Sequence, residues 1–181
     1  MKKAIIILTL LLSAATAGAQ EKHLFRLGYG DSLFEKMAFH ESDISSDYSY
    51  SGHIFTDYHY SLTKVTSVGI QADFQSICWT EKNMRSRNYD FSVMPTVRFT
   101  WMRSSWVRLY SGLGAGVLFA FDNAGGREFA PVFDLKGIGV QIGKTHWCGS
   151  VDFGFMAAVK NLNHIYMMGS RLVSVSVNYR F

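Results

Sequence analysis

The sequence has few prolines, a small net charge and, after its first twenty residues, no long apolar run. It contains two prolines among 181 residues, which favours continuous ordered elements because proline interrupts helices and strands. A membrane-spanning helix needs about 20 consecutive apolar residues, and no later segment supplies them. No low-complexity linker marks a second domain. We therefore predict one domain of about 160 residues without a helical membrane segment.

The beginning of the chain has the form of a secretory signal peptide. Two lysines precede a short apolar run at residues 4–12, and Ala17 and Ala19 fit a small-residue cleavage site. A membrane anchor is the competing interpretation, but the run has about half the length that a spanning helix needs. We expect residues 1–19 to be removed on export and residues 20–181 to form the domain.

The net charge gives no basis for binding nucleic acid. Loss of Lys2 and Lys3 would lower the formal charge from +4 to +2. Nucleic-acid binding depends on many basic groups that neutralise phosphates, and the mature chain has little excess of them.

Apolar and polar residues alternate with a period of two along most of the remaining chain, which is typical of strands with one apolar face. Eight segments show the pattern: residues 23–30, 54–62, 65–79, 89–101, 107–121, 131–143, 150–159 and 172–181. In the fourth, the odd-numbered residues from Tyr89 to Trp101 are apolar and the even-numbered ones are mostly polar. The sixth loses its phase near Gly137, where a β-bulge would restore it.

The connections between these segments alternate between short and long. The short ones are near residues 63–64, 103–105 and 144–146, and the longer ones are 31–52, 80–88, 123–128 and 160–170. This order, with strands of about ten residues, predicts an all-β fold: an eight-stranded antiparallel up-and-down transmembrane β-barrel. A soluble lipocalin-like barrel or sandwich with its apolar face inward also alternates. Its outer face should carry more lysine and glutamate than the polar face has here.

The aromatic residues at strand ends add to this picture. All four tryptophans lie there, where the aromatic girdles of membrane barrels are found: Trp79, Trp101, Trp106 and Trp147. The chain ends on an alternating strand with Tyr179 and Phe181. With its leader and eight segments, it resembles the small eight-stranded outer-membrane β-barrel family of OmpX-like and OmpA-transmembrane-domain-like proteins. The resemblance implies a Gram-negative outer membrane and a terminal signal, Tyr179 and Phe181, read by the barrel-assembly machinery.

Eight strands enclose a lumen that side chains just fill. Alternation directs charged residues and one histidine into it: Arg26, Asp57, His59, Asp73, Asp90, Arg98, Arg108, Asp134, Lys136, Asp152 and Arg180. Because each buried charge needs a partner, we expect a nearly neutral ion-pair network that plugs the interior. A proton or ion path through the network is the alternative. An open pore is not favoured, since open channels belong to larger barrels.

The function that fits best is a structural or surface-interaction role of a monomer in outer-membrane lipid, with a surface protein or host ligand bound through external loops. No cofactor is implied. A lipid-modifying enzyme and a small-solute channel are the alternatives. His40, His53 and His164 fall near the predicted outer rim, but no spacing pairs them with a nucleophile. His40, Glu41 and Asp43 lack the spacing of a metal site.

The two cysteines are predicted to be free thiols. An exported protein with two cysteines suggests a disulfide. However, Cys78 falls at the external end of the third segment and Cys148 at the opposite end of the seventh. That separation exceeds the ~7 Å that a disulfide allows between α-carbons.

Two of the longer connections carry apolar residues. Ser32 and Glu35 have the form of a capping box, which predicts two helical turns at residues 33–40, as a lid on the rim or on the membrane surface. In the last connection, Ile165 and Tyr166 could extend the sheet beyond the membrane and offer an edge to partner proteins.

Overall fold

The computed structural model describes residues 22–31, 47–81, 84–122, 126–144, 146–161, 164–166 and 173–181. These residues form nine strands: β1 (His23–Asp31), β2 (Asp47–Ser61), β3 (Thr66–Glu81), β4 (Met84–Arg103), β5 (Val107–Asp122), β6 (Arg127–Ile142), β7 (Trp147–Asn161), β8 (His164–Tyr166) and β9 (Val173–Arg180). None of these residues belongs to a helix long and apolar enough to cross a membrane. The predicted signal peptide and the predicted helix at residues 33–40 lie outside the described residues.

The strands pair antiparallel and close on themselves. β1 to β7 pair in sequence order, and β9 joins β7 to β1. Ala158 of β7 pairs with Val132 of β6 on one side and with Tyr166 of β8 on the other, so β8 and β9 share the eighth position of an eight-stranded barrel. At the seam, His23 and Phe181 exchange backbone hydrogen bonds of 3.0 and 3.1 Å. The predicted closure of the last strand against the first is confirmed.

Side chains along the long strands alternate between the lumen and the outer surface. In β4, Asp90, Ser92, Met94, Thr96 and Arg98 are buried, and the odd-numbered residues between them are exposed or half-buried. Every strand from β1 to β7 carries exposed large apolar or aromatic side chains on its outer face. A closed barrel with an apolar outer band and a polar interior spans a membrane, because its backbone is fully paired and its outer surface suits hydrocarbon. The soluble alternative is wrong, since the apolar faces point outward.

The strands are longer than the alternation predicts. Strands near ten residues were expected, whereas β2 to β7 contain 15 to 20 residues. The long connection predicted at 80–88 is wrong, because β3 continues to Glu81 and β4 begins at Met84. Beyond the bilayer both faces of a hairpin meet water, so a strand there need not alternate. The predicted extension of the sheet near Ile165 and Tyr166 is confirmed as β8.

The predicted bulge and the three short turns are present. The pairing of β6 with β7 shifts register between Lys136 and Ile138, which confirms the bulge at Gly137. In the β2–β3 turn, Thr63 Oγ1 accepts hydrogen bonds from the backbone N–H groups of Val65 and Thr66 at 3.1 and 2.9 Å. Ser104 Oγ accepts one from Val107 N–H at 3.0 Å in the β4–β5 turn. All three turns lie at the same end of the barrel, here called the short-turn end.

The tryptophans and cysteines lie near strand ends. Trp101, Trp106 and Trp147 are exposed at the short-turn end, and Trp79 lies near the opposite end of β3. Cys148 is a buried free thiol at the start of β7. Cys78 lies near the far end of β3, where its backbone pairs with that of Arg87. The thiol of Cys148 is free, as predicted, and the side chain of Cys78 lies outside the described set.

A charge on the outer band should destabilise the barrel according to its depth. Leu113, near the middle of β5, is 55% exposed, and Leu62, in the β2–β3 turn, is 58% exposed. We expect Leu113→Arg to lower the free energy of unfolding by about 2–4 kcal/mol and Leu62→Arg by about 0–1 kcal/mol. Urea unfolding in lipid vesicles measures both. Equal effects of the two substitutions would contradict the membrane assignment.

Candidate functional site in the barrel lumen

The lumen contains the polar residues that alternation turns inward from β1 to β7 and from β9. Most of the charged residues predicted to lie there are buried, and Arg108 is half-buried. The buried set is Arg26, Asp57, His59, Asp73, Asp90, Arg98, Asp134, Lys136, Asp152 and Arg180. Both signs are represented, so the contacts among these side chains decide how the interior is held together.

Arg26 is at the centre of one group of contacts. Its guanidinium Nη1 lies 3.3 Å from Asp57 Oδ2, and Nη2 forms an ion pair and a hydrogen bond with Asp152. Nη2 also donates to Ser176 Oγ at 3.0 Å, and Nε donates to Asn178 Oδ1 at 3.2 Å. Arg26 is fully buried, so one cation joins β1, β2, β7 and β9 across the seam. This arrangement meets the requirement that a buried charge be both paired and hydrogen-bonded.

Lys136 forms the second group of contacts. Its ammonium lies 3.3 Å from Asp57 Oδ2 and 3.8 Å from Asp134 Oδ2, and donates to Gln71 Oε1 at 2.5 Å. Gln71 Nε2 donates in turn to Asp73 Oδ2 at 2.9 Å and to Asp134 Oδ2 at 3.0 Å. Because Asp57 contacts both Arg26 and Lys136, the two groups form one continuous set of contacts across the lumen.

The histidines of β2 lie beside carboxylates. His59 Nε2 is 3.6 Å from Asp57 Oδ1, and His53 Nε2 is 3.9 Å from Asp73 Oδ1. His53 was expected near the start of its strand and the outer rim, but β2 begins at Asp47, and His53 is buried. A general base for surface lipids would need access that this position does not give.

Arg98 and Tyr110 occupy the short-turn half of the lumen. The Arg98 guanidinium lies 3.4 Å from the centre of the Tyr110 ring, a cation–π contact. Its Nη2 donates to Gln141 Oε1 at 3.0 Å. The Tyr110 hydroxyl donates to Asp152, so the ring connects Arg98 to the Arg26 group. Arg180 Nη2 donates to the carbonyl of Gly143 at 2.8 Å.

Glycines on neighbouring strands make room for the large rings inside. A Cβ atom built on Gly139 would lie 2.3 Å from the Tyr110 ring, and one on Gly28 would lie 2.3 Å from the Phe55 ring. Each pairing places a large side chain over bare backbone of the adjacent strand, which is one reason for glycine in a strand interior. The lumen is therefore packed to the backbone around these rings.

An apolar cluster also lies inside the barrel, farther from the short turns than Arg98 and Tyr110. Met94, Leu118, Val132, Met156 and Ala158 form a buried cluster there. The strict alternation of polar and apolar residues does not reveal it, because these residues lie on the otherwise polar face. The lumen contacts were predicted from charged residues, so the neutral Gln71 and Tyr110 were not among them, although both take part in the contacts described above. Their inward positions follow from alternation, but their partners do not.

Little space remains inside. The cavity lined by Arg26, His59, Arg98, Tyr110 and Lys136, among others, has a volume of about 10 Å³, room for about one water molecule. Among the described residues no group of three or more His, Cys, Asp or Glu side chains is arranged to hold a metal ion. His40, Glu41 and Asp43 lie outside the described residues, and so does the side chain of His164. Of the three candidate histidines, His40, His53 and His164, only the side chain of His53 belongs to the part of the chain that the structure describes.

Strand pairing, closure and the two faces of the wall together define the fold. The chain has the fold of the small eight-stranded membrane β-barrels. No protein-family model and no curated relative matches it. Among solved structures, a crystal structure of Ail, the attachment invasion locus protein of Yersinia pestis, in complex with the heparin analogue sucrose octasulfate, is similar over 90% of this chain and 100% of that chain. The sequence identity is 15% and the TM-score is 0.48.

Two further structures of the same Yersinia pestis protein are similar over the same shares of both chains. A crystal structure of Ail has 14% identity and a TM-score of 0.45. The backbone structure of Ail in a phospholipid bilayer nanodisc has 13% identity and a TM-score of 0.44. The barrel assignment for this chain rests on its own strand pairing and on the polarity of its two faces.

Proposed function

We propose that this chain is a monomeric outer-membrane protein with a charge-plugged lumen and a structural or surface-interaction role on the side opposite the short turns. The observation that carries the proposal is the filled lumen. Arg26 and Lys136 bridge it, and the cavity beside them holds about 10 Å³. A barrel of this size transmits no solute unless the contacts open. The functional contacts are then made by the surfaces outside the membrane, and a surface protein or host ligand is the partner that fits them.

Strand length supports a role on this side. At ~3.4 Å per residue, the 20 residues of β4 extend for about 65 Å along the strand. Even with a tilt of ~40°, this exceeds an apolar band of ~25 Å. At the short-turn end the strands are joined by tight turns and extend little beyond the membrane. Most of the excess strand length therefore lies at the other end, on the side of Glu81 and Met84. The β3–β4 hairpin is therefore a paired, protruding sheet suited to present binding residues.

Placement in the outer membrane is part of the proposal. A β-barrel of this kind needs export, which the leader at residues 1–19 would provide. Trp101, Trp106 and Trp147 are positioned as an interfacial girdle on the short-turn side, with Trp79 on the other. Tyr179 packs against Trp147 with ring centres 4.9 Å apart, and Phe181 stacks on His23 at 5.2 Å. We assign Tyr179 and Phe181 to recognition by the barrel-assembly machinery.

Exchange of the external segments tests the proposed role. Outer-membrane vesicles that carry the wild-type chain are expected to bind a cultured epithelial monolayer, and a variant with residues 32–46 replaced by a Gly/Ser segment is expected to lose this binding. Replacement of Ser104 and Ser105 by Gly at the short-turn end is the matched control and should leave binding unchanged. Heat-modifiable gel mobility establishes that each variant is folded.

The alternatives predict different results with the same proteins. A channel would carry current in a planar bilayer, whereas the sealed barrel is expected to carry none above the lipid background. A lipid-modifying enzyme would change the mass of lipid A or phospholipid acyl chains on expression. Current or lipid modification, combined with unchanged vesicle binding of the 32–46 variant, would overturn the proposal.

A further inference from the structure

The short-turn mouth of the barrel is cationic, in contrast to the mixed charges of the middle. A cavity of about 30 Å³ opens there, and the residues that line it include Lys64, Arg98, Arg103, Arg108 and Arg180 but no aspartate or glutamate. The sequence shows the origin of this imbalance. The three hairpins that build this end contain lysine and arginine but no acidic residue across 58–72, 91–121 and 135–151.

The cations reach one cavity from separate parts of the wall. Lys64 lies in the β2–β3 turn, Arg103 and Arg108 lie on β4 and β5, and Arg180 lies on β9. Arg103 and Arg108 are direct register partners across the two strands. Both line the cavity, so an anion in it can contact two guanidinium groups from adjacent strands.

Arg98 provides an independent sign of a ligand. It is 4% exposed, and its position is fixed by Gln141 and by the Tyr110 ring. Its Nη1 is buried and has no hydrogen-bond acceptor among the described residues. A buried charged donor without an acceptor is costly, and it binds strongly to an anion that enters its reach. Arg98 lines the same cavity as the other cations.

We propose that this mouth binds a phosphate group, carried either by the headgroup of an anionic phospholipid or by a soluble phosphate compound. Guanidinium groups match the oxygens of phosphate in geometry and charge. The hydroxyl groups of Ser67 and Thr100 lie in the same wall and can add neutral donors. The cavity has room for a terminal phosphate only, so the rest of the molecule would stay outside. Since the mouth is opposite the protruding hairpins, this site is separate from the proposed surface role.

Titration with inorganic pyrophosphate tests the soluble form of the ligand. Protein folded in an uncharged detergent is followed by the ¹⁵N-labelled arginine side-chain signals. We expect a saturable shift that includes Arg98. The double variant Arg103→Gln/Arg108→Gln should raise the dissociation constant about tenfold or more. Arg127 is an exposed arginine at the opposite end of β6. Arg127→Gln is therefore the matched control and should change the dissociation constant by about twofold at most.

Nanodiscs with and without phosphatidylglycerol test the lipid form. A shift of the Arg98 signal that requires phosphatidylglycerol and is lost in the double variant assigns the site to a lipid headgroup. Saturable pyrophosphate binding without a lipid effect assigns it to soluble phosphate compounds. The proposal is overturned if neither ligand shifts the Arg98 signal, or if Arg127→Gln weakens binding as much as the double variant.

Discussion

Arg26→Met is expected to destabilise the barrel by about 3–5 kcal/mol, because it leaves Asp57 and Asp152 buried without their shared cation. Removing one member of a buried ion pair costs more stability than removing both members, since the remaining charge keeps its desolvation penalty. The donors to Ser176 and Asn178 are lost as well. Equilibrium urea unfolding in vesicles, followed by tryptophan fluorescence, measures the change.

A second variant separates charge from packing. In Arg26→Met/Asp152→Asn the carboxylate of residue 152 becomes a neutral amide, while Asp57 keeps Lys136 as its partner, and we expect most of the stability to return. Arg127→Met at the exposed end of β6 should shift stability by about 0.5 kcal/mol at most. If Arg26→Met/Asp152→Asn were no more stable than Arg26→Met, the loss would come from packing, and the ion pairs of Arg26 would not hold the lumen together.

Gly139→Ala is expected to have an effect of similar size through contact with Tyr110. The added Cβ atom would lie 2.3 Å from the ring, and 2.6 Å from Asp152 Oδ1. The ring cannot move aside easily, because Arg98 stacks on it and its hydroxyl binds Asp152. Overpacking of this kind costs about 3 kcal/mol, with further loss if the Asp152 contacts shift. Heat-modifiable mobility and urea unfolding measure it.

Gly149 on the neighbouring strand β7 offers the matched control. A Cβ atom there meets nothing within 4 Å, so Gly149→Ala should change stability by about 0.5 kcal/mol at most. In a Tyr110→Ala background, Gly139→Ala should cost about 1 kcal/mol or less, because the clashing ring is gone. Equal costs of Gly139→Ala in both backgrounds would show that the ring is not the cause.

The wall of the barrel is largely predictable from the sequence, since alternation is a local property. The apolar residues from Tyr89 to Trp101 face outward because one face of that strand meets hydrocarbon. The same argument fails at the far ends of β3 and β4. Residues 80–88 carry no pattern that distinguishes a strand from a loop. To predict where the strands end on that side, one must know which residues pair between strands, and these residues can be far apart in the chain.

The inward direction of Arg26, Asp57 and Asp152 also follows from alternation, but their contacts do not. Asp57 faces Arg26 through the register of β1 and β2, and Asp152 reaches Arg26 across β9, from β7. Which charges meet depends on the stagger of strands around the closed wall, and a bulge such as that at Gly137 changes this stagger by one residue. Neutral partners such as Gln71 have no signal of their own in the sequence.

The seam between β1 and β9 has a consequence for the order of folding. These strands are the most distant in the described chain, yet they pair along eight residues each. Such non-local pairing is slow, because the whole intervening chain must be ordered first. Until it forms, the unfinished sheet exposes two unpaired edges, which readily accept a foreign strand. The rate at which β9 pairs with β1 and closes the barrel, rather than the strength of any lumen contact, should therefore limit the fraction of molecules that avoid aggregation.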